Sequence, residues 1–461
     1  MVKNSNYHIN KSYLHEMIRS ELEDIVGSER VTDADVDKDV YSTDIWWIPR
    51  MWIDRGLEVP KPDFIIYPKN SEEVSEIVRI SNKYKIPIIP RGGGAGDTGG
   101  GLSIFGGGII IDMKRMNKII KIDEKSLTVK AQTGILQVDL EEQLNDRGYT
   151  TNHFPASFYC STLGGFLALR GSGVLSTKYG KIDTMTLSLK IVLPNGEIIN
   201  TLPIREHSTG PDLSSLFLGS EGTLGIITEA TLKICHLPEE RRFKAFLFEA
   251  LHSALEAGRK IMTTRLRPSV IRVYDEVDTR KWIKSVLGFE KSGSYMIIGF
   301  DGFREVVDAE EKLAIKIISG EGGQYLGEEW GKKWWDHRFD FYYPPHTLES
   351  TNYLYGVIDT IGSYDKIEKI YWEMKKNIEN NYKKWGIEFM GHFSHWYESS
   401  AALYPLFIIE NPPDDPYEAL KLYSNVWDTG VRTALKNGGV VNEHHGVGAK
   451  LSRFMRKQYG P

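Results

Sequence analysis

Apolar residues recur at helical spacing over residues 12–26. Leu14, Met17, Ile18, Leu22 and Ile25 fall on one side, and Gly27 is placed to stop the helix. The pattern then shortens. Phe64-Ile65-Ile66-Tyr67 reads as a strand, and Ser71 as the cap of a helix with Val74, Ile77, Val78 and Tyr84 on one face. Ile86-Pro87-Ile88-Ile89 and Gly108-Ile109-Ile110-Ile111-Asp112 are further strands, and Pro194-Asn195-Gly196 joins Leu187–Val192 to Gly196–Ile199 as a hairpin. From about 240 to 435 lysine-rich helical segments alternate with strands such as Tyr295–Phe300, after which glycine returns at Gly438-Gly439 and Gly446-Val447-Gly448. The pattern predicts an α+β protein with one domain over 1–238, a second α+β domain over 239–435 and a closing segment over 436–461. No internal repeat or low-complexity linker separates them.

Between two of the strands stands Pro90-Arg91-Gly92-Gly93-Gly94-Ala95-Gly96-Asp97-Thr98-Gly99-Gly100-Gly101, in which seven of twelve residues are glycine. So dense a run exposes consecutive backbone N–H groups, a concavity suited to phosphate. It feeds a strand, whereas a dinucleotide-binding Rossmann loop opens a helix, and it lacks the Gly-Lys-Ser/Thr ending of a P-loop. A second cluster runs from Pro155 through Ser157, Thr162, Gly165 and Ala168 to Ser172, and a third over Gly219–Thr228. One long ligand with a pyrophosphate and a flat ring system accounts for all three.

Composition narrows the picture less. A chain of 461 residues with 41% hydrophobic and 26% charged positions is an ordinary globular protein of two or three domains. A net charge of −5 gives no reason to expect nucleic acid. Two cysteines form no disulfide framework, and no apolar run reaches the ~20 residues of a membrane span. With polar residues where a signal peptide would be apolar, the expectation is a cytoplasmic protein.

The three clusters resemble the FAD-binding (PCMH-type) domain of the vanillyl-alcohol-oxidase/p-cresol-methylhydroxylase superfamily. The resemblance implies a two-subdomain FAD domain followed by a substrate-binding cap, with FAD held non-covalently. It assigns the cofactor to Pro90, Arg91, Gly92, Gly93, Gly94, Ala95, Gly96, Thr98 and Gly99 in the first loop. It adds Pro155, Ser157, Thr162, Gly165, Ala168 and Ser172 from the second cluster, and Glu221, Gly222, Gly225, Ile226 and Ile227 from the third. Ser208–Asp212, Ser269–Asp275, Tyr397 to Tyr404 and His444-His445-Gly446-Val447-Gly448, in that order, are similar to the alkyldihydroxyacetone-phosphate synthase branch. That branch implies exchange of an acyl ester for an alkyl ether through a flavin adduct, without net redox. Arg272, Tyr404, His444 and His445 would be the catalytic residues. Histidine titrates near neutrality and suits proton abstraction beside a carbonyl, and an arginine fork suits a carboxylate or phosphate. The alternative is FAD-linked dehydrogenation of a D-2-hydroxy acid such as D-lactate or glycolate. The implied partner is a small anionic or lipid-like substrate; peripheral membrane contact and a homodimer remain open.

The chain departs from the branch pattern at two places. Pro345, in Tyr342-Tyr343-Pro344-Pro345-His346, stands where an arginine would hold the substrate's anionic head, leaving Arg338 or His346 to compensate, and Glu443 replaces the first of three histidines. Cys160 is expected to be a buried thiol rather than a flavin attachment point. No metal site is expected, because His392 and His395 would point to opposite faces of a strand.

Overall fold

The computed structural model describes residues 11–341 and 352–460. The predicted first helix spans Lys11–Val26 and buries Ile18, Leu22 and Val26 against Val74, Ile77 and Val78 of the helix Ser71–Tyr84. Gly27 ends it at φ 92°. The cap of the second helix is Asn70, one residue earlier than expected. Its extended backbone lets its side chain accept from Glu73 N at 2.8 Å. Ser71, the first helical residue, is buried and donates instead to Thr228 Oγ1 at 2.9 Å, tying this helix to the next sheet.

Three sheets organise the α+β chain. In the first, Phe64–Ile66, Ile109–Asp112 and Ile88–Arg91 lie parallel in that order, with Val31–Thr32 antiparallel at the edge. The second is antiparallel, in the order Ile119–Asp123, Thr128–Gln132, Ile226–Lys233, Thr186–Val192, Ile198–Asn200, and contains the predicted hairpin. The third has eight strands, its middle formed by Glu240–Phe248, Ser294–Gly302, Val270–Tyr274, Ile387–Trp396 and Ser400–Ile409.

The two-residue period of a strand divides the third sheet into two faces. Ile271, Val273, Met296, Ile298, Phe393, Leu403 and Phe407 point into a core shared with the helices Leu251–Thr263, Arg304–Gly320, Ile367–Tyr382 and Pro416–Lys436. Arg272, Tyr274, His392, Tyr404 and Leu406 point the other way, toward the glycine clusters. The helix Trp47–Asp54, early in the chain, buries Trp47, Ile48 and Met51 in that same helical core, as do Leu451 and Phe454 near the opposite end. Among the described residues no helix is long and apolar enough to cross a membrane.

Met51 is fully buried in this shared core, so Met51→Ala should cost about 2–5 kcal/mol. A lowered unfolding temperature by calorimetry checks it; an unchanged temperature would mean that the early helix does not hold the third sheet.

Candidate active site

The first glycine loop leaves the carboxyl end of the parallel strand Ile88–Arg91, where open parallel sheets bind ligands. It lies flat against the second cluster. A Cβ on Gly93 would fall 1.6 Å from the Cys160 carbonyl oxygen, and one on Gly92 2.2 Å from Thr162 Oγ1. Thr162 itself caps the helix Leu163–Leu169, its hydroxyl accepting from Gly165 N at 3.3 Å. The three clusters line one cavity, with Pro90–Gly94, Ala95, Gly96, Thr98, Pro155, Ser157, Thr162, Gly165, Ala168, Ser172, Glu221, Gly222, Gly225, Ile226 and Ile227 in its wall.

Gly99 alone of the expected cofactor residues is not in this wall, and Arg91 and Glu221 in it also bond the chain itself. Gly99 is turned from the cavity and packs on Trp46, whose ring a Cβ would meet at 2.5 Å. The Arg91 guanidinium donates to the carbonyls of Tyr41 at 2.8 Å, Thr43 at 2.6 Å and Gly101 at 3.3 Å, which clamps the loop. Glu221 accepts from Val447 N at 2.5 Å and Gly448 N at 2.8 Å, latching the C-terminal Gly-Val-Gly turn onto the cradle.

The far wall comes from the third sheet. Tyr274, His392 and Tyr404 stand directly opposite one another on neighbouring strands. Their rings form a row, with centroids 5.1 Å and 4.8 Å apart. Arg272 lies on the same face, its guanidinium 5.7 Å from the Trp334 ring centroid. Asp275, which follows that strand, accepts from Tyr371 Oη and Gly391 N, each at 2.7 Å.

His392 and His395 both line the cavity, contrary to the expectation of opposite faces. Phe393 pairs with Leu403, but Trp396 pairs with Ala401. The extra residue is a β-bulge, and it swings His395 round to the face of His392. Sequence alternation carried no sign of it.

A turn over residues 442–448 completes the wall. Its backbone converges on Asp359, which accepts from Glu443 N at 2.9 Å and His444 N at 3.0 Å. Asp359 also accepts from Asn442 Nδ2 at 2.6 Å and faces His445 Nδ1 at 2.9 Å. Three of the four imidazoles thus have a carboxylate at Nδ1: His445 on Asp359, His444 on Glu443 at 2.6 Å, and His392 on Asp278 at 2.8 Å, while His395 Nδ1 faces Ser176 Oγ at 2.7 Å. The Tyr404 ring stacks on His392 and lies 5.8 Å from His444 and 5.3 Å from His445.

The charges of His445, His392 and His395 differ. Burial disfavours a charged His445, but the Asp359 and Asp97 carboxylates outweigh it and push the imidazole up to about 9. Asp359 is correspondingly held well below the usual carboxylate range, the two histidines offsetting its burial. Burial holds His392 and His395 far below the ordinary histidine value, so both are neutral at pH 7. Burial also lifts Asp278 to about 7 against the pull of Arg272. His395, Glu443 and His444, and likewise Asp359, His444 and His445, have ligand atoms within 4.8 Å, close enough to share a metal ion. In both groups the carboxylate is already engaged by an imidazole, and in the first also by Lys181 Nζ at 3.0 Å.

Two family models match the chain, an FAD binding domain over residues 62–202 and the C-terminal domain of FAD linked oxidases over 237–461. Alkyldihydroxyacetonephosphate synthase from Dictyostelium discoideum is 34% identical over 429 residues, covering 86% of this chain and 68% of that one. The chain belongs to the alkyldihydroxyacetonephosphate synthase family. A solved structure of an alkyldihydroxyacetonephosphate synthase superposes with a TM-score of 0.81 at 29% identity, covering 96% of this chain and 84% of that one. A glycolate oxidase subunit from Bacillus subtilis is 32% identical over 260 residues, covering 56% of this chain and 53% of that one. The family is FAD-dependent, and the cradle fits that cofactor. Gly92, Gly93, Gly94 and Gly96 leave its first loop without side chains along the cavity, and its wall is shared by both halves of the chain.

All four expected catalytic residues of this family member, Arg272, Tyr404, His444 and His445, meet in the cavity. Lining it or supporting its wall, but unanticipated, are the carboxylates Asp278, Asp359 and Glu443 and the histidines His392 and His395. Tyr342–His346, including Pro345, lies outside the described residues. Arg338 is not in the cavity wall. Its guanidinium sits 3.7 Å from the Trp335 ring centroid and 4.3 Å from that of Phe339, and donates to the Trp335 carbonyl at 2.7 Å.

Gly93→Ala should abolish FAD retention, because its Cβ meets backbone rather than a movable side chain. Yellow protein with wild-type FAD affinity would refute the close approach. The His445–Asp359 pair also predicts a pH dependence. A folded value of about 9 against an ordinary 6.5 means stabilisation that is complete below pH 6.5 and lost as pH rises through 9. Its size is on the order of 3 kcal/mol. Asp359→Asn should flatten the fall in melting temperature over that window. An unchanged slope would remove the pair as its cause.

Proposed function

We propose that the protein exchanges the acyl ester of an acylated dihydroxyacetone phosphate for the ether of a long-chain alcohol. The observation that carries this reading is the two-sided substrate end of the cavity. Tyr404, His444, His445 and Arg272 gather on one side, and Trp282, Val357 and Leu406 provide an apolar surface beside them. Bound FAD supplies an electron-accepting ring system. The chain's own groups supply binding and proton transfer.

Their environments divide the work. Arg272 offers a permanent cation to an anionic substrate group. His445, protonated up to about pH 9 by Asp359, acts as a cation and proton donor rather than a base. His444 donates Nδ1–H to the Glu443 carboxylate, so Nε2 is the atom left to take a proton from carbon next to the substrate carbonyl. The Tyr404 hydroxyl orients the substrate oxygen between them. The exchange breaks a carbon–oxygen bond to the departing carboxylate and forms one to the incoming alcohol; the alcohol's proton leaves through these groups, and the proton that His444 took from carbon is replaced before the ether is released.

The first experiment is an anaerobic visible spectrum with D-lactate and glycolate, run beside a mass-spectrometric exchange assay with palmitoyl-dihydroxyacetone phosphate and hexadecanol. The expected result is an oxidised flavin with both acids, and an ether product with released palmitate. Bleaching by a 2-hydroxy acid without exchange would make the protein a dehydrogenase. Tyr404→Phe should lower exchange by about 10²–10⁴-fold while leaving the bound-flavin spectrum intact.

A further inference from the structure

The Glu443 carboxylate stands behind His444, with both of its oxygens bonded. Its side chain is 2% exposed. One oxygen accepts from Tyr397 Oη at 2.8 Å, Lys181 Nζ at 3.0 Å and Ser172 Oγ at 3.3 Å. The other faces His444 Nδ1 at 2.6 Å. Lys181 also donates to the Glu443 carbonyl. Burial opposes its charge, but His444 and Lys181 prevail and hold Glu443 well below the usual carboxylate range, so it is an anion. An anionic carboxylate only accepts, which makes Nδ1 of His444 the donor.

We propose that Glu443 is a positioning residue which, with Lys181 as its fixed counter-cation, sets the tautomer of His444 and presents Nε2 to the substrate. Lys181 follows the second glycine cluster and Ser172 belongs to it, so this network also ties the orientation of the imidazole to the wall of the FAD cradle. The orienting charge sits at the position where the branch pattern has a histidine, which would offer Lys181 no anion. The inference rests on His444 being the base of the proposed reaction, but its readout needs neither substrate nor turnover.

Glu443→Gln sharpens the test. Lys181 has only donors, so the amide carbonyl must face Lys181 and Tyr397, which leaves the NH₂ toward His444 Nδ1. The imidazole then has to accept at Nδ1 and carry its proton on Nε2. Releasing the amide in Lys181→Met/Glu443→Gln lets it turn and restores the original tautomer.

The measurement is ¹⁵N NMR of histidine-labelled, FAD-loaded protein with the ring neutral, the His444 signals assigned by their loss in His444→Asn. Wild type should show a protonated Nδ1, Glu443→Gln a protonated Nε2, and the double variant a protonated Nδ1 again. Exchange activity should fall about 10²-fold in the single variant and recover at least about tenfold in the double. A wild-type His444 protonated on Nε2, or a single variant that keeps the wild-type tautomer, overturns the proposal. If Glu443→Gln does not retain flavin, the wild-type tautomer alone decides. Correct tautomers in an enzyme without exchange activity would leave the positioning intact and overturn only the reaction assigned to it.

Discussion

Residues 442–448 form an irregular turn at the centre of the molecule, and buried backbone N–H groups there have no sheet or helix to bond to. Two carboxylates solve this. Asp359 takes the N–H groups of Glu443 and His444, and Glu221 takes those of Val447 and Gly448. One carboxylate belongs to the third sheet's connections and the other to the flavin cradle, so satisfying the turn also fixes the distance between the two halves. Everything that makes the cavity reactive, from the two adjacent imidazoles to their spacing from Tyr404, hangs on that pair of anchors.

Much of the cradle was legible because glycine reports close approach directly: only a bare backbone lets Gly93 lie on the Cys160 carbonyl. The amphipathic helix at 12–26 was legible for a similar reason, a local period imposed by one buried face. The supporting carboxylates were not. Asp278 meets His392 across 114 positions and Asp359 meets His445 across 86, and no local pattern marks either. The bulge at 393–396 defeated the two-residue period at the one place where it mattered for His395. Arg91 and Glu221 were found in the right place but with other work, because a family pattern gives position without saying whether a side chain faces ligand or chain.

His445, His392 and His444 meet different partners in the fold. His445 is a cation beside an anion that is itself pinned by backbone donors. His392 is neutral through burial and faces a carboxylate lifted toward neutrality. His444 has an anion on one nitrogen and open cavity at the other. The partners rather than the imidazoles themselves set these differences, so two adjacent histidines need not duplicate each other.

The latch on the cradle comes late in the chain. Glu221 lies more than two hundred residues ahead of Val447, and the Thr98 carbonyl of the first glycine loop accepts from Lys450 N at 3.2 Å. During synthesis from the N-terminus the glycine loops therefore exist long before the segment that closes over them. Until that segment leaves the ribosome, the Glu221 carboxylate and the Thr98 carbonyl have only water to bond, and the cavity lacks one wall. The last wall of the cradle is thus set only once residues 447–450 have been made, although the loops it closes over were among the first to emerge.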